Sequence, residues 1–443
     1  MARILVIRQG YLPFDPRVWR ALEALVGEGH HVDVICKRLT GQPALHEVPG
    51  LRIHRLRSTS RKGGKLHYVL QYATFMFKAG WLAARLTVRC PYDLVQVHSL
   101  PDTLVFAALV PRLMGARVLL DLQEPMPEFM ASKFGAPMEQ RGVRMVGSLE
   151  QLAIRFADHV LTCTDEMRAV FLRRGAPPEK ISVILNSADE EIFDPARFPP
   201  RPRTPGRFEL VCHGTIEERY GHDLVVRAMA QLTDEIPELR LSVFGDGSYK
   251  PVLRDLIRTL GLEERVWFSD GFVPIEEMLA GIAEADVGVV AMQRDVFRDL
   301  THCNKMFDFI IMRRPQIVSR TAAVQSYFDE DCFEMFTAGD VVDLACAIRR
   351  LYHSPTRCEQ LVDRALKSNE PYRWTRQRQV YLSVVRGLVP RSRDRDRGWK
   401  RTGVRPEERP QASDPAEDDV AAVYGAGRSS WRGRPDRPRP KDI

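Results

Sequence analysis

The segment THCNKMFDFIIMRRP, residues 301–315, combines a cation and a carboxylate with the apolar pattern of a short buried helix. Thr301 is predicted to cap this helix, with Asn304 and Lys305 in its first turn. A cation there is unfavourable beside the helix dipole unless an anion binds. Asp308 follows among large apolar residues, where an ionised carboxylate is costly without a partner. The pattern predicts a diphosphate beside Lys305 and a pair of hydroxyl groups beside Asp308. The alternative is an ion pair between Lys305 and Asp308 on a partly exposed face.

A second stretch, HGTIEERYGHDL at residues 213–224, joins a predicted strand to a predicted helix. Gly214 and Gly221 permit close approach of the backbone, and the helix start offers unpaired N–H groups to a phosphate. Arg219 adds a guanidinium whose geometry matches phosphate oxygens. The alternative is an ordinary turn in which Arg219 pairs with a neighbouring glutamate. Gly245, in FGDGSYK, follows another strand, and turn chemistry is the favoured interpretation of that motif.

Polar residues of the N-terminal half also lie at predicted strand ends. His98 and Asp102 follow the run DLVQVHS, and Glu124 belongs to the acidic loop of DLQEPMPE. Ligands of parallel sheets bind at the carboxyl ends of the strands, so these loops are candidate site loops. The acidic loop could bind carbohydrate hydroxyls or simply cap a helix.

Alternating strands and helices surround these residues in both halves of the chain. Short apolar runs such as RILVIRQ, HVDVICK and FELVCHG alternate with amphipathic helices, which predicts parallel sheets covered on both faces. The proline-rich stretch before Arg207 is a linker candidate. We therefore predict an α/β protein with two doubly wound parallel sheets and a site in the cleft between them.

The overall composition is that of a soluble globular protein of 443 residues, 44% hydrophobic and 28% charged. Its eight cysteines are scattered without a CxxC pair, which favours buried thiols in a reducing compartment. No apolar run reaches the length of a membrane span, and we expect a cytoplasmic protein. The net charge of +7 indicates an anionic partner. Nucleic acid is the weakest candidate, because acidic residues interrupt every basic run.

Residues 52–89 join basic side chains to an amphipathic, aromatic-rich helix. Such a helix can lie in the interface of an anionic bilayer, which would place the protein at the inner face of the membrane. The alternative is a helix that faces the core and has a basic rim.

Eight segments of the sequence, taken together in their order along the chain, resemble the motifs of a known protein family. They are YLPFDPRVWRALEALVGEGHHVDVI, YDLVQVHSLPDTL, LLDLQEPMPE, VILNSADEEIFDP, HGTIEERYGHDLVVRAM, ADVGVVAM, NKMFDFIIMRRPQIVS and YRWTRQRQVYLSVVRGL. Each motif is weak alone. Together they resemble the GT-B glycosyltransferases of retaining family 4 over about residues 1–388.

The resemblance implies the GT-B fold, in which two Rossmann-like domains face each other across a cleft. It implies an N-terminal acceptor-binding domain at 1–190, a linker at 191–206 and a C-terminal donor-binding domain at 207–370. A helix at 371–388 would cross back to the first domain, and the tail at 389–443 is predicted to be disordered.

The resemblance also implies an enzyme, a hexosyltransferase-like glycosyltransferase. It would transfer a sugar with retention from a nucleotide diphosphate sugar to a lipid-linked or glycan acceptor, as in cell-surface polysaccharide or glycolipid biosynthesis. No metal or resident cofactor is expected. The implied catalytic residues are His98, Arg219 and Lys305. The implied donor-nucleotide residues are Gly214, Thr215, Arg219, Gly245, Val273, Thr301, Asn304, Lys305 and Asp308, and the acceptor-side residues are Asp15, Arg17, Asp102 and Glu124.

The chain departs from the family pattern at several of these positions. Asp308 stands where most relatives have glutamate, and the family's earlier glutamate, eight positions before, falls on Leu300. The remaining departures are Thr215 for an arginine, Tyr220 for a lysine, and Gln96 and Gln123 for histidines. Two alternatives therefore stand beside the transferase: a nucleotide-sugar 2-epimerase of the same fold, and a non-catalytic glycosyltransferase-like partner protein.

Overall fold

The computed structural model describes residues 1–12, 15–39, 41–57 and 65–389, with only the backbone of 65–68. The predicted disordered tail lies outside these residues, apart from Val389. Two sheets fall on either side of residues 191–206, which form neither helix nor strand. The prediction of two parallel-sheet units is confirmed. The N-terminal sheet unit and the C-terminal sheet unit are called the first and second unit below.

The first unit contains an eight-stranded sheet in the order β3-β4-β2-β1-β5-β6-β7-β8. Strand β3 is antiparallel to β4, and the other pairs are parallel. The interior of β2 is buried throughout, as expected for a sheet covered on both faces. The strands are β1 Arg3–Tyr11, β2 His31–Lys37, β3 Leu45–Val48, β4 Leu51–Leu56, β5 Leu94–His98, β6 Arg117–Leu122, β7 His159–Thr162 and β8 Ile181–Val183.

Within residues 15–173, as far as they are described, six α-helices pack around this sheet. The first begins at Pro16 because the Asp15 side chain accepts a hydrogen bond from the Val18 N–H, and proline suits the first helical position. The helices are α1 Pro16–Gly27, α2 Lys65–Arg89, α3 Leu109–Leu113, α4 Met126–Phe134, α5 Arg141–Phe156 and α6 Asp165–Arg173, with 3₁₀ turns at Asp102–Ala108 and Pro178–Lys180.

The second unit contains a six-stranded, wholly parallel sheet in the order β11-β10-β9-β12-β13-β14. Its strands are β9 Phe208–His213, β10 Leu239–Phe244, β11 Val266–Phe268, β12 Val287–Val290, β13 Gln316–Arg320 and β14 Glu334–Thr337. Its helices are α7 His222–Gln231, α8 Lys250–Thr259, α9 Ile275–Glu284, α10 Asn304–Ile311, α11 Ala322–Tyr327, α12 Val341–His353 and α13 Pro355–Asn369, with 3₁₀ turns at Glu218–Tyr220, Arg298–Leu300 and Glu370–Tyr372.

Helix α10 is seated closely on the second sheet. A Cβ atom added to Gly288 in β12 would lie 2.7 Å from the Phe309 ring, so only glycine allows this approach. The buried residues Met306, Phe307 and Ile310 complete the apolar face of the helix. This packing fixes the direction of the first turn of α10.

The last helix of the described residues, α14, spans Trp374–Leu388 and packs on the first unit. Its buried Tyr381 and Val385 belong to the same apolar cluster as Ile4 in β1. The Tyr381 hydroxyl donates to Gln96 Oε1 at 2.6 Å, and Gln377 Oε1 accepts from the Leu185 N–H at 2.9 Å. The end of the described chain therefore completes the core of the first unit.

Candidate active site

Helix α10 begins at Asn304 without a side-chain cap. The residue before the helix is Cys303, whose backbone is extended and whose side chain accepts no capping hydrogen bond. The prediction that Thr301 caps this helix is wrong, because the Thr301 hydroxyl lies 3.5 Å from the Arg298 carbonyl oxygen instead. The Met306 N–H donates to the Cys303 carbonyl oxygen at 3.0 Å, whereas the Asn304 N–H has no hydrogen-bond partner among the described residues and is left to water or to a ligand.

Lys305 stands in the first turn with no carboxylate partner among the described residues. Its Nζ atom lies 3.8 Å from the centroid of the Tyr220 ring, a cation–π geometry. The alternative ion pair with Asp308 is absent within 4.0 Å in the described part of the chain. A Cβ atom at Gly214 would lie 2.6 Å from Lys305 Cε, so this glycine leaves room for the lysine side chain.

Asp308 lies one turn behind Lys305 and its side chain is 14% exposed. Its Oδ2 atom is 3.6 Å from His213 Nε2, which has no hydrogen-bond partner among the described residues. Burial raises the pKa of Asp308 to about 7, although the charges of Arg20 and Lys305 oppose this shift. Burial, with Lys305 and His222 adding repulsion, lowers the pKa of His213 to about 3. The two side chains form a buried polar pair that is only partly satisfied.

Two glycine-containing loops meet beside Lys305. Gly214 has a φ of +92°, and a Cβ atom at Gly245 would lie 1.8 Å from the Gly214 carbonyl oxygen. Gly245 is therefore required for contact between the loops after β9 and β10. Thr215 is exposed, and Val273 is half-buried against the core beneath these loops.

A cavity of about 260 Å³ lies between the two units. It brings Glu124 from the first unit together with Arg219, Thr301, Asn304 and Lys305 from the second. The other residues predicted for the site do not line this cavity; they are Asp15, Arg17, His98, Asp102, Gly214, Thr215, Gly245, Val273 and Asp308. The remaining lining residues are Gln123, Cys163, Thr164, Met167, Asn186, Tyr220, Met292, Phe297, Arg298, His302 and Cys303.

Arg219 keeps its guanidinium available at this cavity. It forms no ion pair within 4.0 Å with any described residue, including the neighbouring glutamates of its own loop. Its guanidinium lies 5.3 Å from the Tyr220 ring, on whose face Lys305 also sits. The two cations share one aromatic side chain, which stands where the family pattern has a lysine.

His98 lies in a different setting, within a buried polar network of the first unit. The parallel register places it opposite Asp121, and its Nδ1 atom is 2.8 Å from Asp121 Oδ2. Its Nε2 atom is 3.0 Å from the amide nitrogen of Gln96. Arg17 donates two hydrogen bonds to the Asp121 carboxylate, of 2.7 and 2.9 Å. The His98 side chain is 1% exposed and is not on the cavity wall.

The charges of this network compensate one another. Burial alone would raise the pKa of Asp121, but Arg17 and His98 outweigh it and hold that pKa well below its usual range. Arg17 also donates to the carbonyl oxygen of Ile184 and to Asn186 Oδ1. Arg17 and His98 thus have structural partners, and their predicted roles toward acceptor or donor stay predictions.

The other acceptor-side residues differ in their surroundings. Asp15 caps α1 and forms an ion pair with Arg8 at 2.8 Å. Asp102 is buried at the start of a 3₁₀ turn, where burial, with Glu150 and Glu124 adding repulsion, raises its pKa well above the ordinary value. Only Glu124 of this group reaches the cavity between the units.

The loop before α10 bridges the two units. The Thr164 hydroxyl donates to the Leu300 carbonyl oxygen at 2.6 Å, and the Leu300 side chain packs against the core cluster of the first unit. The Ser132 hydroxyl donates to Asp295 Oδ2 at 2.7 Å. The rings of Phe129 and Phe297 meet edge to face at 5.4 Å. These contacts close one end of the cavity.

Several cavity residues were missed by sequence reasoning. Arg298 and Phe297 lie in a stretch without a recognised motif, so no signal pointed to them. Asn186 belongs to the segment VILNSADEEIFDP, which contributes to the family resemblance, but the resemblance assigned no function to this asparagine. Among the described residues, no group of three or more His, Cys, Asp or Glu side chains could hold a metal ion.

Two family models match the chain. Residues 15–187 match a "Glycosyl transferase 4-like domain", and residues 207–354 match "Glycosyl transferases group 1". Each model covers one of the two units, and the cavity lies between them.

Curated relatives match parts of the chain. The GDP-mannose-dependent alpha-(1-6)-phosphatidylinositol monomannoside mannosyltransferase of Mycolicibacterium smegmatis is 28% identical over 156 residues, 34% of this chain and 39% of that protein. Glycogen synthase of Mycobacterium tuberculosis is 25% identical over 257 residues, 55% of this chain and 58% of that protein. The chain thus spans less than two thirds of the length of each of these relatives.

Solved structures match the fold over nearly the whole described chain. Sucrose-phosphate synthase from Thermosynechococcus elongatus has a TM-score of 0.69 at 19% identity, covering 88% of this chain and 99% of that chain. Anabaena HepE in complex with UDP-glucose has a TM-score of 0.65 at 14% identity, covering 87% and 100%. At these identities the likeness shows the fold, which is the predicted GT-B arrangement.

Proposed function

The chain belongs to the GT-B glycosyltransferases of family 4, and on that basis we propose that it transfers a sugar from a nucleotide diphosphate sugar to an acceptor hydroxyl with retention. The observation that carries the proposal is Lys305, a cation at the uncapped start of a helix that faces a cavity. Without an anion this arrangement is electrostatically unfavourable, and the diphosphate of a nucleotide sugar supplies one.

The proposed reaction uses this positive charge to stabilise the leaving group. The bond between the anomeric carbon and the phosphate oxygen breaks, and the acceptor oxygen bonds to the same face of that carbon. An oxygen of the leaving diphosphate takes the acceptor's proton. Lys305, Arg219 and the first N–H groups of α10 would stabilise the charge on the diphosphate. Asp308 would bind the ribose hydroxyls from one turn behind Lys305.

The names of the similar proteins support the donor class. The mycobacterial relative is GDP-mannose-dependent, and HepE is described in complex with UDP-glucose. Both donors carry a diphosphate between nucleoside and sugar, and this is the group that we propose Lys305 and Arg219 bind.

A thermal-shift panel tests this proposal. The purified protein is scanned with UDP, GDP, ADP and their glucose or mannose derivatives, and at least one nucleotide is expected to raise the unfolding temperature by mass action. The Lys305→Met variant should lose that rise while unfolding at the wild-type temperature without ligand. The proposal fails if no nucleotide or nucleotide sugar raises the unfolding temperature of the wild-type protein.

We propose further that the acceptor is lipid-linked and that α2 contacts an anionic membrane. The helix buries Phe75, Ala79 and Ala83 in the first unit, while its opposite face exposes a second apolar stripe. The helical repeat brings these exposed side chains into line. They are Leu70 at 63%, Phe77 at 71%, Trp81 at 65% and Val88 at 68% exposure.

Charge supports this choice of partner. Lys78 and Arg85 are exposed beside the stripe, and the Arg85 guanidinium lies 5.5 Å from the Trp81 ring. Aromatic side chains flanked by cations suit the headgroup region of an anionic bilayer. One face of α2 packs in the core, as one interpretation of the sequence expects, and the exposed opposite face is the surface that we propose for the membrane. Within the described residues, no helix is long and apolar enough to cross a membrane.

Vesicle co-sedimentation separates membrane binding from simple exposure. Wild-type protein is expected to sediment with vesicles containing phosphatidylglycerol, and the Phe77→Ser/Trp81→Ser variant should bind about 10-fold more weakly. Val342→Ser is the matched control, since Val342 is 61% exposed on α12 of the other unit. Equal sedimentation of all three proteins, or none, would refute the membrane surface.

A further inference from the structure

Glu124 is the one carboxylate among the described residues that line the cavity. It shares the cavity lining with three cations, Arg219, Arg298 and Lys305, of which Arg298 is paired with Asp295. A diphosphate would be drawn to those cations and repelled by an ionised Glu124. The cavity therefore has a polarity, with phosphate favoured on one side and neutral hydroxyl groups favoured on the other.

The Glu124 side chain also lacks a partner. Its Oε2 atom is buried, and no described residue donates a hydrogen bond to it. Burial raises the pKa of Glu124, while the charges of Arg8, Arg219 and Lys133 oppose that shift without forming an ion pair. A buried oxygen left without a donor is costly, which favours a ligand that brings O–H groups.

Leu300, by contrast, offers nothing polar to the cavity. Its side chain packs against the core of the first unit, and its carbonyl oxygen is occupied by the Thr164 hydroxyl. Thr164 is itself fixed, because its oxygen accepts the Met167 N–H at 3.1 Å as the cap of α6. The second unit therefore supplies cations to the cavity, and the first unit supplies the acid.

We propose that Glu124 accepts hydrogen bonds from hydroxyl groups of the donor's sugar. This inference rests on the proposed function, since it assumes that a nucleotide diphosphate sugar occupies the cavity. The sugar is joined directly to the diphosphate, so when Lys305 and Arg219 hold the phosphates the sugar ring lies toward the opposite wall. The two oxygens of a carboxylate suit a pair of neighbouring hydroxyl groups. Glu124 is thus a specificity-determining residue, and it moves from the acceptor side of the sequence prediction to the donor sugar.

The experiment compares two affinities in the same variant. Isothermal titration calorimetry with UDP, UDP-glucose, GDP and GDP-mannose gives the Kd of each nucleotide sugar relative to its nucleoside diphosphate. Glu124→Gln keeps the shape of the side chain but weakens it as an acceptor. We expect the nucleotide sugar to bind about 10-fold more weakly relative to its nucleoside diphosphate, whose own Kd should stay equal to the wild-type value or fall, since a negative charge is removed. Glu139→Gln, which removes an exposed acid of the same unit, is the matched control.

The possible results separate this inference from the function on which it rests. A wild-type protein that binds none of the four ligands removes the proposed function and this inference with it. Wild-type binding combined with an unchanged ratio in Glu124→Gln overturns the role of Glu124 and leaves the transferase intact. Equal weakening of both ligands also overturns it, because a sugar contact cannot act on the nucleoside diphosphate. A Kd of the nucleoside diphosphate that is no higher than in wild type at the same time reports that the variant is folded.

Discussion

Both units carry charged residues near the carboxyl ends of their strands. The two groups differ in whether the protein supplies ion-pair and hydrogen-bond partners for them. In the first unit, Arg17, His98 and Asp121 meet at the ends of β5 and β6, and each has protein partners within 3.0 Å. In the second unit, Lys305 has no carboxylate partner among the described residues. Among the described residues, the one ionisable side chain within 4.0 Å of the Asp308 carboxylate is His213, at 3.6 Å. We call Arg17, His98 and Asp121 the closed cluster, and Lys305 and Asp308 the open cluster.

The difference shows that a strand-end position does not by itself make a ligand site. Parallel sheets bring polar residues to one edge, but a ligand binds where the protein leaves their interactions incomplete. The closed cluster joins β5, β6 and α1 to the final helix through Gln96 and Tyr381. The open cluster has room for an anion, and the following predictions test this contrast.

Removing Asp121 from the closed cluster should have the largest effect on stability. Asp121→Ala leaves the Arg17 guanidinium buried without its carboxylate. We expect the free energy of unfolding to fall by about 3–5 kcal/mol, the cost of breaking a buried pair. Urea denaturation measures it.

The control for this prediction is an exposed ion pair of the same unit. Arg117 pairs with Asp158 at 3.2 Å, and its side chain is 59% exposed. Arg117→Ala should cost no more than about 1 kcal/mol. Equal stability of Asp121→Ala and wild type would show that the first cluster is not a structural one.

Removing Lys305 from the open cluster should affect activity rather than stability. With the nucleotide sugar found in the thermal-shift panel, Lys305→Met should release nucleoside diphosphate about 10²–10³-fold more slowly, the usual effect of losing one group that stabilises developing charge. Its unfolding free energy should change by less than about 1 kcal/mol, since only the contact with Tyr220 is lost.

The matched control is Lys367→Met, because Lys367 is an exposed lysine of α13 in the same unit. It should match wild type in both measurements. Retention of more than a third of wild-type activity by Lys305→Met would contradict the assignment of the open cluster to the leaving diphosphate.

The unfolding free energy should depend on pH differently in the two clusters, and this effect should be smaller than those of the substitutions above. The pKa of Asp308 is raised to about 7, so from about pH 4 to 7 the native form keeps a proton that the unfolded chain has lost. Wild type should therefore lose stability relative to Asp308→Asn as the pH rises through this range, by about 1–3 kcal/mol. His213, with its pKa lowered to about 3, gives the opposite slope against His213→Gln between about pH 4 and 6.5.

The closed cluster supplies the comparison for this measurement. Asp121 is ionised above pH 5 in both native and unfolded forms, because its native pKa lies below the usual range. With His98→Gln introduced in both proteins, so that no imidazole contacts the carboxylate, the stability difference caused by Asp121→Asn should stay constant from pH 5 to 7. Urea denaturation at several pH values measures all three differences, and a flat profile for Asp308→Asn would contradict the burial of its carboxylate in the open cluster.

The central strands and helix α10 could be predicted from local sequence. Runs such as HVDVICK are apolar throughout because both faces of the strand are covered, and β2 begins and ends at the predicted residues. Lys305 lies in the first turn of α10 as predicted, since the apolar spacing and the proline beyond it define that helix.

The short strands and the closed cluster could not be predicted in this way. Strands β3 and β8 have four and three residues at the edges of the sheet, where pairing rather than periodicity decides the structure. Arg17 and Asp121 are 104 residues apart in the chain, so nothing local marks them as partners. The position of Glu124 opposite the cations likewise depends on how the two units meet.

The position of α14 affects when the first unit can finish folding during synthesis. Synthesis delivers the strands of the first unit early and the residues that cover its Ile4 face last. Until residues 374–388 leave the ribosome, that face has the cover of α1 residues such as Val18 and Leu22 but lacks that of α14, and Gln96 lacks the hydroxyl of Tyr381. A fragment ending at the linker would carry the same open apolar groove, whereas a peptide of residues 374–388 added in trans has the surface needed to fill it.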